Sequence, residues 1–417
     1  MKTKLLLLLL VVFQISLGQQ RSCGMQEHMD QMMFNPVLKK QYEERQAKFE
    51  VEYQKLLNKQ TSNNKLLSPN AVVNIPVAIH YPSVPGTSTA ALKTCLRNLA
   101  QNQVTILNND YNGTNSDMSI WTNTTSSYFP GVNTGSLQVN LQIATQNHPV
   151  GTGLTNGTVA VTFGTDFLSN ADNDATWAGY FNIVVRPIGG GTLGYAYLAS
   201  SPSTGSAVII NSSAFGSGTG CTGYVPGAPY NLGRTLTHEM AHYFNLEHIW
   251  GDANCGSDGV SDTPVHNTSN GGCPPISHLS TCAGTPREMT MNYMDYTNDV
   301  CMYMFTAGQA TRQLAHLNSI LTDFKSNVLS TTSYFASNFN VYPNPSNGTF
   351  SIQLKEVISD FEVEIFDITG KVIYTQEFYQ NSDLVKEINV KNEISKGIYF
   401  LNIRSSDNLV TKKIIIE

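Results

Sequence analysis

The stretch Thr237-His238-Glu239-Met240-Ala241-His242-Tyr243-Phe244-Asn245-Leu246-Glu247-His248 constrains this chain more than any other. On a helix, side chains four residues apart share one face, so His238 and His242 present two imidazoles to one point. That spacing suits a zinc ion, and Glu239 beside it can reach a water on the ion's open side as a general base. His248 lies six residues beyond His242, and continued helix would carry it away. The helix must therefore break between them. Asn245 is where a break fits, since after Gly it best tolerates the left-handed conformation in which many helices end. The third imidazole then returns to complete a three-nitrogen site with one position left for water.

Around this site the 417-residue chain divides into segments, being too long for one ordinary domain. Residues 1–18 read as a signal peptide: Lys2 and Lys4, the apolar run Leu5 to Phe13, then the small-residue stretch Ser16-Leu17-Gly18. Residues 19–65 are polar, with a helical stretch over Pro36–Lys59, and have too few apolar residues to fold well alone. Residues 66–328 form the main body. Strand-like runs at Val72–Tyr81, Gln138–Ala144, Phe181–Arg186 and Ala207–Ile210 alternate with helices near Thr89–Asn108 and Leu232–Leu246, which argues for a mixed α/β (α+β) layer. Residues 329–338 read as a linker, and 339–417 carry short, regularly spaced strands and turns that indicate an all-β sandwich. A net charge of −6 without a basic stripe argues against a nucleic-acid partner. No segment is apolar for long enough to be transmembrane, and a charged fraction of only 13% suits an extracellular surface built on Asn, Ser, Thr and Gly.

The long histidine motif, with Gly233-Arg234-Thr235-Leu236-Thr237 before it and Ile249-Trp250-Gly251-Asp252 after it, resembles the pappalysin family of metzincin metallopeptidases. The family carries Gly where this chain has Asn245. Downstream, Met291-Asn292-Tyr293-Met294-Asp295-Tyr296 resembles the family's Met-turn. The resemblance spans roughly residues 70–325 and implies a metzincin-type catalytic domain with an active-site helix and a twisted sheet. It implies Met294 beneath the metal and Tyr296 steadying the tetrahedral intermediate. It also implies a substrate strand around Leu193, Gly194, Tyr195 and Ala196, and disulfides Cys255–Cys282 and Cys273–Cys301. The residues alone leave three pairings open for those four cysteines. A structural Ca2+ is implied in the loop of Asp252 and Ser257–Pro264, with Asp258 and Thr263 the best-placed ligands. Some family members favour Arg or Lys after the cut through an acid near the last disulfide. Asp299 is a candidate here, with Val300 competing for the place.

Cys23, in Arg21-Ser22-Cys23-Gly24, resembles the cysteine switch of pappalysin zymogens, in which a thiolate takes the open zinc position. If Cys95 pairs with Cys221, Cys23 is the thiol left over from seven cysteines. Residues 19–65 would then be a pro-segment, with Lys55, Lys59 and Lys65 as candidate cuts. Residues 339–417 resemble a type IX secretion C-terminal sorting domain through Tyr342-Pro343-Asn344-Pro345, Asp367-Ile368-Thr369-Gly370-Lys371 and the ending Lys412-Lys413-Ile414-Ile415-Ile416. The expectation is a secreted or cell-surface zinc endopeptidase acting on proteins or peptides, exported through the periplasm by the type IX machinery. The alternatives are a zinc amidohydrolase of cell-wall peptides and an inactive surface adhesin on the same fold.

Overall fold

A computed structural model describes residues 21–63, 72–164, 172–329, 339–354, 360–379, 383–405 and 408–417. The signal-peptide assignment, Lys65 and nearly all of the expected linker lie outside these residues. One compact unit lies within residues up to 327. The other runs from 328 to the end and includes Thr145–Asn147 and Thr155–Thr158.

The chain opens with helices α1 (Met25–Met33) and α2 (Pro36–Asn63). Strand β1 (Val73–Tyr81) follows, then α3 (Ala90–Asn112), α4 (Met118–Asn123), and strands β2 (Val139–Ile143), β3 (Val161–Phe163), β4 (Phe181–Arg186), β5 (Gly194–Tyr195) and β6 (Ala207–Asn211). Helices α5 (Arg234–Tyr243) and α6 (Ala307–Ile320) complete the first unit. Its sheet runs β2-β1-β4-β6-β5, with β3 also on β1. All pairs are parallel except β5, which runs antiparallel to β6. The Val- and Ile-rich parallel strands are almost wholly buried, as such strands are when both faces are covered. Thr89 caps α3 and Gly113, at φ +65°, ends it. Helix α6 starts on a capping box of Thr306 and Gln309.

The polar N-terminal helices take their stability from the body they lie on. Met25, Met29 and Met32 of α1 bury against Leu198, and Phe49 and Leu56 of α2 bury against Leu314 and Ala315 of α6. Lys55 and Lys59 are exposed but sit inside α2.

The second unit holds β7 (Phe339–Tyr342), β8 (Thr349–Leu354), β9 (Phe361–Phe366), β10 (Val372–Phe378), β11 (Val385–Asn389), β12 (Gly397–Ser405) and β13 (Asn408–Ile416). They form two antiparallel sheets, β10-β9-β12-β13 and β11-β8-β7, over a shared core that includes Phe350, Val363 and Leu401. Among the described residues, no helix is long and apolar enough to cross a membrane.

Candidate metal centre

Helix α5 is held at its start by a buried ionic cluster. Arg234 binds Asp110, Asp117 and the Tyr293 hydroxyl, and Thr237 donates to Asp110 Oδ2 at 2.6 Å. The helix then carries His238, Glu239 and His242 into the core and ends as the motif requires. Asn245 has φ +68°, and the Leu246 N–H turns back to the Ala241 carbonyl at 2.9 Å.

The reversal brings the three imidazoles together. His242 Nε2 lies 3.2 Å from His238 Nε2 and 3.1 Å from His248 Nε2. Each ring's other nitrogen is committed: His238 Nδ1 donates to the Tyr293 carbonyl at 2.7 Å and His242 Nδ1 to the Leu246 carbonyl at 2.6 Å. His248 Nδ1 meets Asp252 Oδ1 at 2.6 Å. A carbonyl can only accept, so Nδ1 carries the proton in His238 and His242 and their Nε2 lone pairs face each other. Such lone pairs need a shared cation. Ligands at 2.0–2.1 Å in a tetrahedron stand about 3.3 Å apart, close to what is observed. Burial also pushes the pKa values of His238 and His242 well down, which keeps the rings neutral and ready to ligate. The Cys23 thiol is the fourth donor, and all four donor atoms lie within 4.8 Å of one another. The residues fit a zinc ion.

Glu239 is buried beside this cluster and accepts from the Cys23 thiol at 3.2 Å. Burial pushes its carboxyl up to about 8, against the pull of hydrogen bonds from Cys23 and the Ala196 backbone. Gly194 makes room for it, since a Cβ there would lie 3.0 Å from Glu239 Cγ. The Tyr296 hydroxyl stands 3.2 Å from His248 Nε2, at the rim of the same site. Met294 is fully buried directly after the carbonyl that orients His238. Trp250 stacks on His248, with ring centroids 4.3 Å apart and planes 10° apart.

The edge strand β5 is paired by the N-terminal segment. The Leu193 N–H donates to the Ser22 carbonyl and the Gly24 N–H to the Gly194 carbonyl, both at 2.9 Å, so Ser22-Cys23-Gly24 runs parallel along β5. Two residues before the thiol, Arg21 Nη2 meets Asp299 Oδ1 at 2.5 Å. Asp299 is 0% exposed and carries the Arg21 guanidinium, whereas Val300 beside it is 65% exposed. Asp299 Oδ2 also accepts from the Leu232 N–H at 2.8 Å.

Three bridges are formed: Cys95–Cys221, Cys255–Cys282 and Cys273–Cys301, leaving Cys23 free. In the loop after the motif, Asp258 Oδ1 accepts from the Thr263 hydroxyl at 2.8 Å and the Val260 N–H at 3.0 Å. Its Oδ2 is buried without a hydrogen-bond partner, which suits a cation. Asp252, grouped by the sequence with this loop, instead orients His248. The sequence gives no sign of two contacts made by the N-terminal helices. Gln46 and Asn245 exchange a reciprocal pair of amide hydrogen bonds at 2.9 and 3.1 Å, and Arg45 Nε donates to the Ala199 carbonyl at 2.7 Å. A long-range pairing of two amides leaves no local pattern to read.

The fold and site are those of a metzincin-type metallopeptidase with its N-terminal segment seated in the cleft. Residues 223–318 match the family described as Pregnancy-associated plasma protein-A, and residues 340–417 match the secretion system C-terminal sorting domain. The structure is similar to that of a Tannerella forsythia promirolysin mutant (TM-score 0.52, 27% identity, 72% of this chain and 95% of that one). Mature mirolysin from the same organism, in complex with a cleaved peptide, gives a TM-score of 0.46 at 29% identity over 59% and 91% of the two chains. An extracellular metalloprotease of Uncinocarpus reesii is 42% identical over 126 residues, 30% of this chain and 42% of that protein. Extracellular metalloprotease 1 of Coccidioides posadasii is 40% identical over 130 residues, 30% of this chain and 44% of that protein. The chain spans less than half the length of these curated relatives. Residues 223–318 thus match the pappalysin family within a metzincin-type fold, and residues 340–417 match a C-terminal sorting domain.

Proposed function

We infer that this protein is a secreted zinc endopeptidase, made latent by its own residues 19–65. The convergence of three Nε2 atoms beside a buried carboxylate, with a thiol in the fourth place, carries this reading. His238, His242 and His248 would hold a zinc ion, which would supply Lewis acidity for polarising the scissile carbonyl and acidifying a water. Glu239 takes the water's proton and passes it to the leaving amine. The Tyr296 hydroxyl donates to the oxygen on which charge develops. Backbone groups of β5 hold the substrate extended, as they hold Ser22–Gly24. Arg21 on Asp299 supports an arginine preference directly after the cut, because a fork of donors meets a buried carboxylate there. The second unit addresses the chain to type IX secretion across the outer membrane.

The activated protein should cleave casein or gelatin, and a peptide-wall amidase or an adhesin would not. Glu239→Gln should lower kcat by about 10²- to 10⁴-fold while bound zinc stays at one per chain by elemental analysis. Unchanged proteolysis by the variant would overturn the assignment of the base.

A further inference from the structure

Arg21 reaches Asp299 from before the thiol, and Gly24 lies against Tyr195 just after it, where two tyrosines form a slot. Tyr195 lies on β5 and Tyr197 two residues on. Their hydroxyls donate to the two oxygens of Asp172, at 2.7 and 3.0 Å. Arg186 Nη2 adds a 2.9 Å bond to the Tyr195 hydroxyl and lies 3.4 Å from Asp172 Oδ1. The rings are thus fixed at their tips. In the latent protein the His28 imidazole fills the space between them. It stacks on Tyr195 with centroids 3.7 Å apart and planes at 10°, and meets Tyr197 edge-on at 5.7 Å.

His28 reaches this slot from helix α1, while the strap residue that lies against β5 beside it is Gly24. A Cβ at Gly24 would stand 3.1 Å from Tyr195 Cβ and 3.3 Å from His28 Cδ2. A side chain on an extended peptide at that place would therefore enter the space that the imidazole occupies. The glycine leaves the slot free, and His28 supplies the ring that the strap lacks. Arg186 offsets the charge of Asp172, so the slot favours a flat uncharged ring over a cation.

We propose that after the pro-segment leaves, the Tyr195–Tyr197 slot is a specificity subsite for an aromatic or imidazole side chain of the substrate, on the far side of the scissile bond from the Asp299 pocket. This rests on the endopeptidase reading above, with β5 as the substrate strand.

Two measurements test it. The first compares cleavage, by the activated protein, of peptides that share Arg after the cut and carry Phe, Tyr, His, Leu or Ala at the residue before it or the next one back. Ring-bearing peptides should be favoured in kcat/KM by about 10- to 100-fold over Leu and Ala. In Tyr197→Leu and Asp172→Asn proteins that advantage should shrink, with the rate on the Ala peptide held. Equal rates for rings, Leu and Ala in the wild type would sink the subsite while leaving the protease reading intact. The second needs no catalysis: thermal unfolding of zinc-loaded precursors carrying His28→Phe, His28→Leu or His28→Ala. His28→Phe should keep the wild-type midpoint, and Leu and Ala should lower it. A Leu precursor as stable as the Phe one would show that the slot does not select flat rings, even if no peptide were cleaved at all.

Discussion

Asn245 carries two tasks that its backbone and side chain divide between them. Its φ of +68° turns the chain so that His248 meets the other two imidazoles, a task that Gly performs in the related motif. Its amide also closes a two-bond pair with Gln46, tying the ligand-bearing turn to the pro-segment. Each bond contributes about 0.5–1.5 kcal/mol, so the pair holds the segment by about 1–3 kcal/mol. Gln46→Ala should therefore speed conversion of the precursor by roughly 5- to 150-fold, followed by gel and by the onset of peptide cleavage. Asn245→Gly should do the same, and the double variant should add little, since the two substitutions remove one interaction. Cys23→Ala tests the other anchor. It frees the fourth donor position and should give measurable peptide cleavage before any processing, while a precursor still fully latent would remove the thiol from the mechanism.

At the scale of elements, what the sequence makes legible follows from local chemistry. Strand β1 and helices α3 and α5 carry buried runs, caps or the histidine spacing, and lie within a few residues of where those signals put them. Strands β3 and β5 have three and two residues, too short for an alternating pattern, and exist because β1 and β6 supply partners. Helix α6 does leave a signal, Thr306 followed three residues on by Gln309, but its buried face is rich in Ala and Gln and shows little apolar periodicity. The site is legible where one short segment builds it and illegible where distant ones meet, as at Arg21–Asp299. The loop Ser257–Pro264 lies between these cases. Burial pushes Asp258 up to about 6, so the folded protein holds a proton that the unfolded chain releases near 4. Its contribution is therefore full below about pH 4 and is lost as pH rises through about 6. A calcium ion on the unpartnered Oδ2 would replace that proton. Adding calcium to zinc-loaded protein should raise the unfolding midpoint more at pH 7.5 than at pH 5, and Asp258→Asn should abolish the difference. Equal shifts at both pH values would remove calcium from this loop.

For the first unit as a whole, the proposed latency would rest on anchors spread along the N-terminal segment, all of them on the N-terminal side of Lys59. Arg21 sits on Asp299, the strap Ser22–Gly24 on β5, three methionines of α1 against Leu198, and Phe49 and Leu56 on α6. A cut at Lys65 breaks none of these contacts. Lys55 and Lys59 lie inside α2, and a protease must unwind that helix to reach them. Five buried apolar side chains contribute about 1.5–3 kcal/mol each, comparable with the about 4–15 kcal/mol that association costs in lost freedom. The polar anchors then tip the balance toward a bound complex. A single cut at Lys65 should therefore leave an inactive pair that only dissociation activates. After complete cleavage at that bond, specific activity should rise on dilution and fall again when a peptide of residues 21–63 is added back. A further cut at Lys55 should make activation irreversible, because it separates the Leu56 contact from the rest of the segment. Activity that appears in full at the first cut and does not change with protein concentration would mean that the covalent tether, and not these contacts, keeps the segment in the cleft.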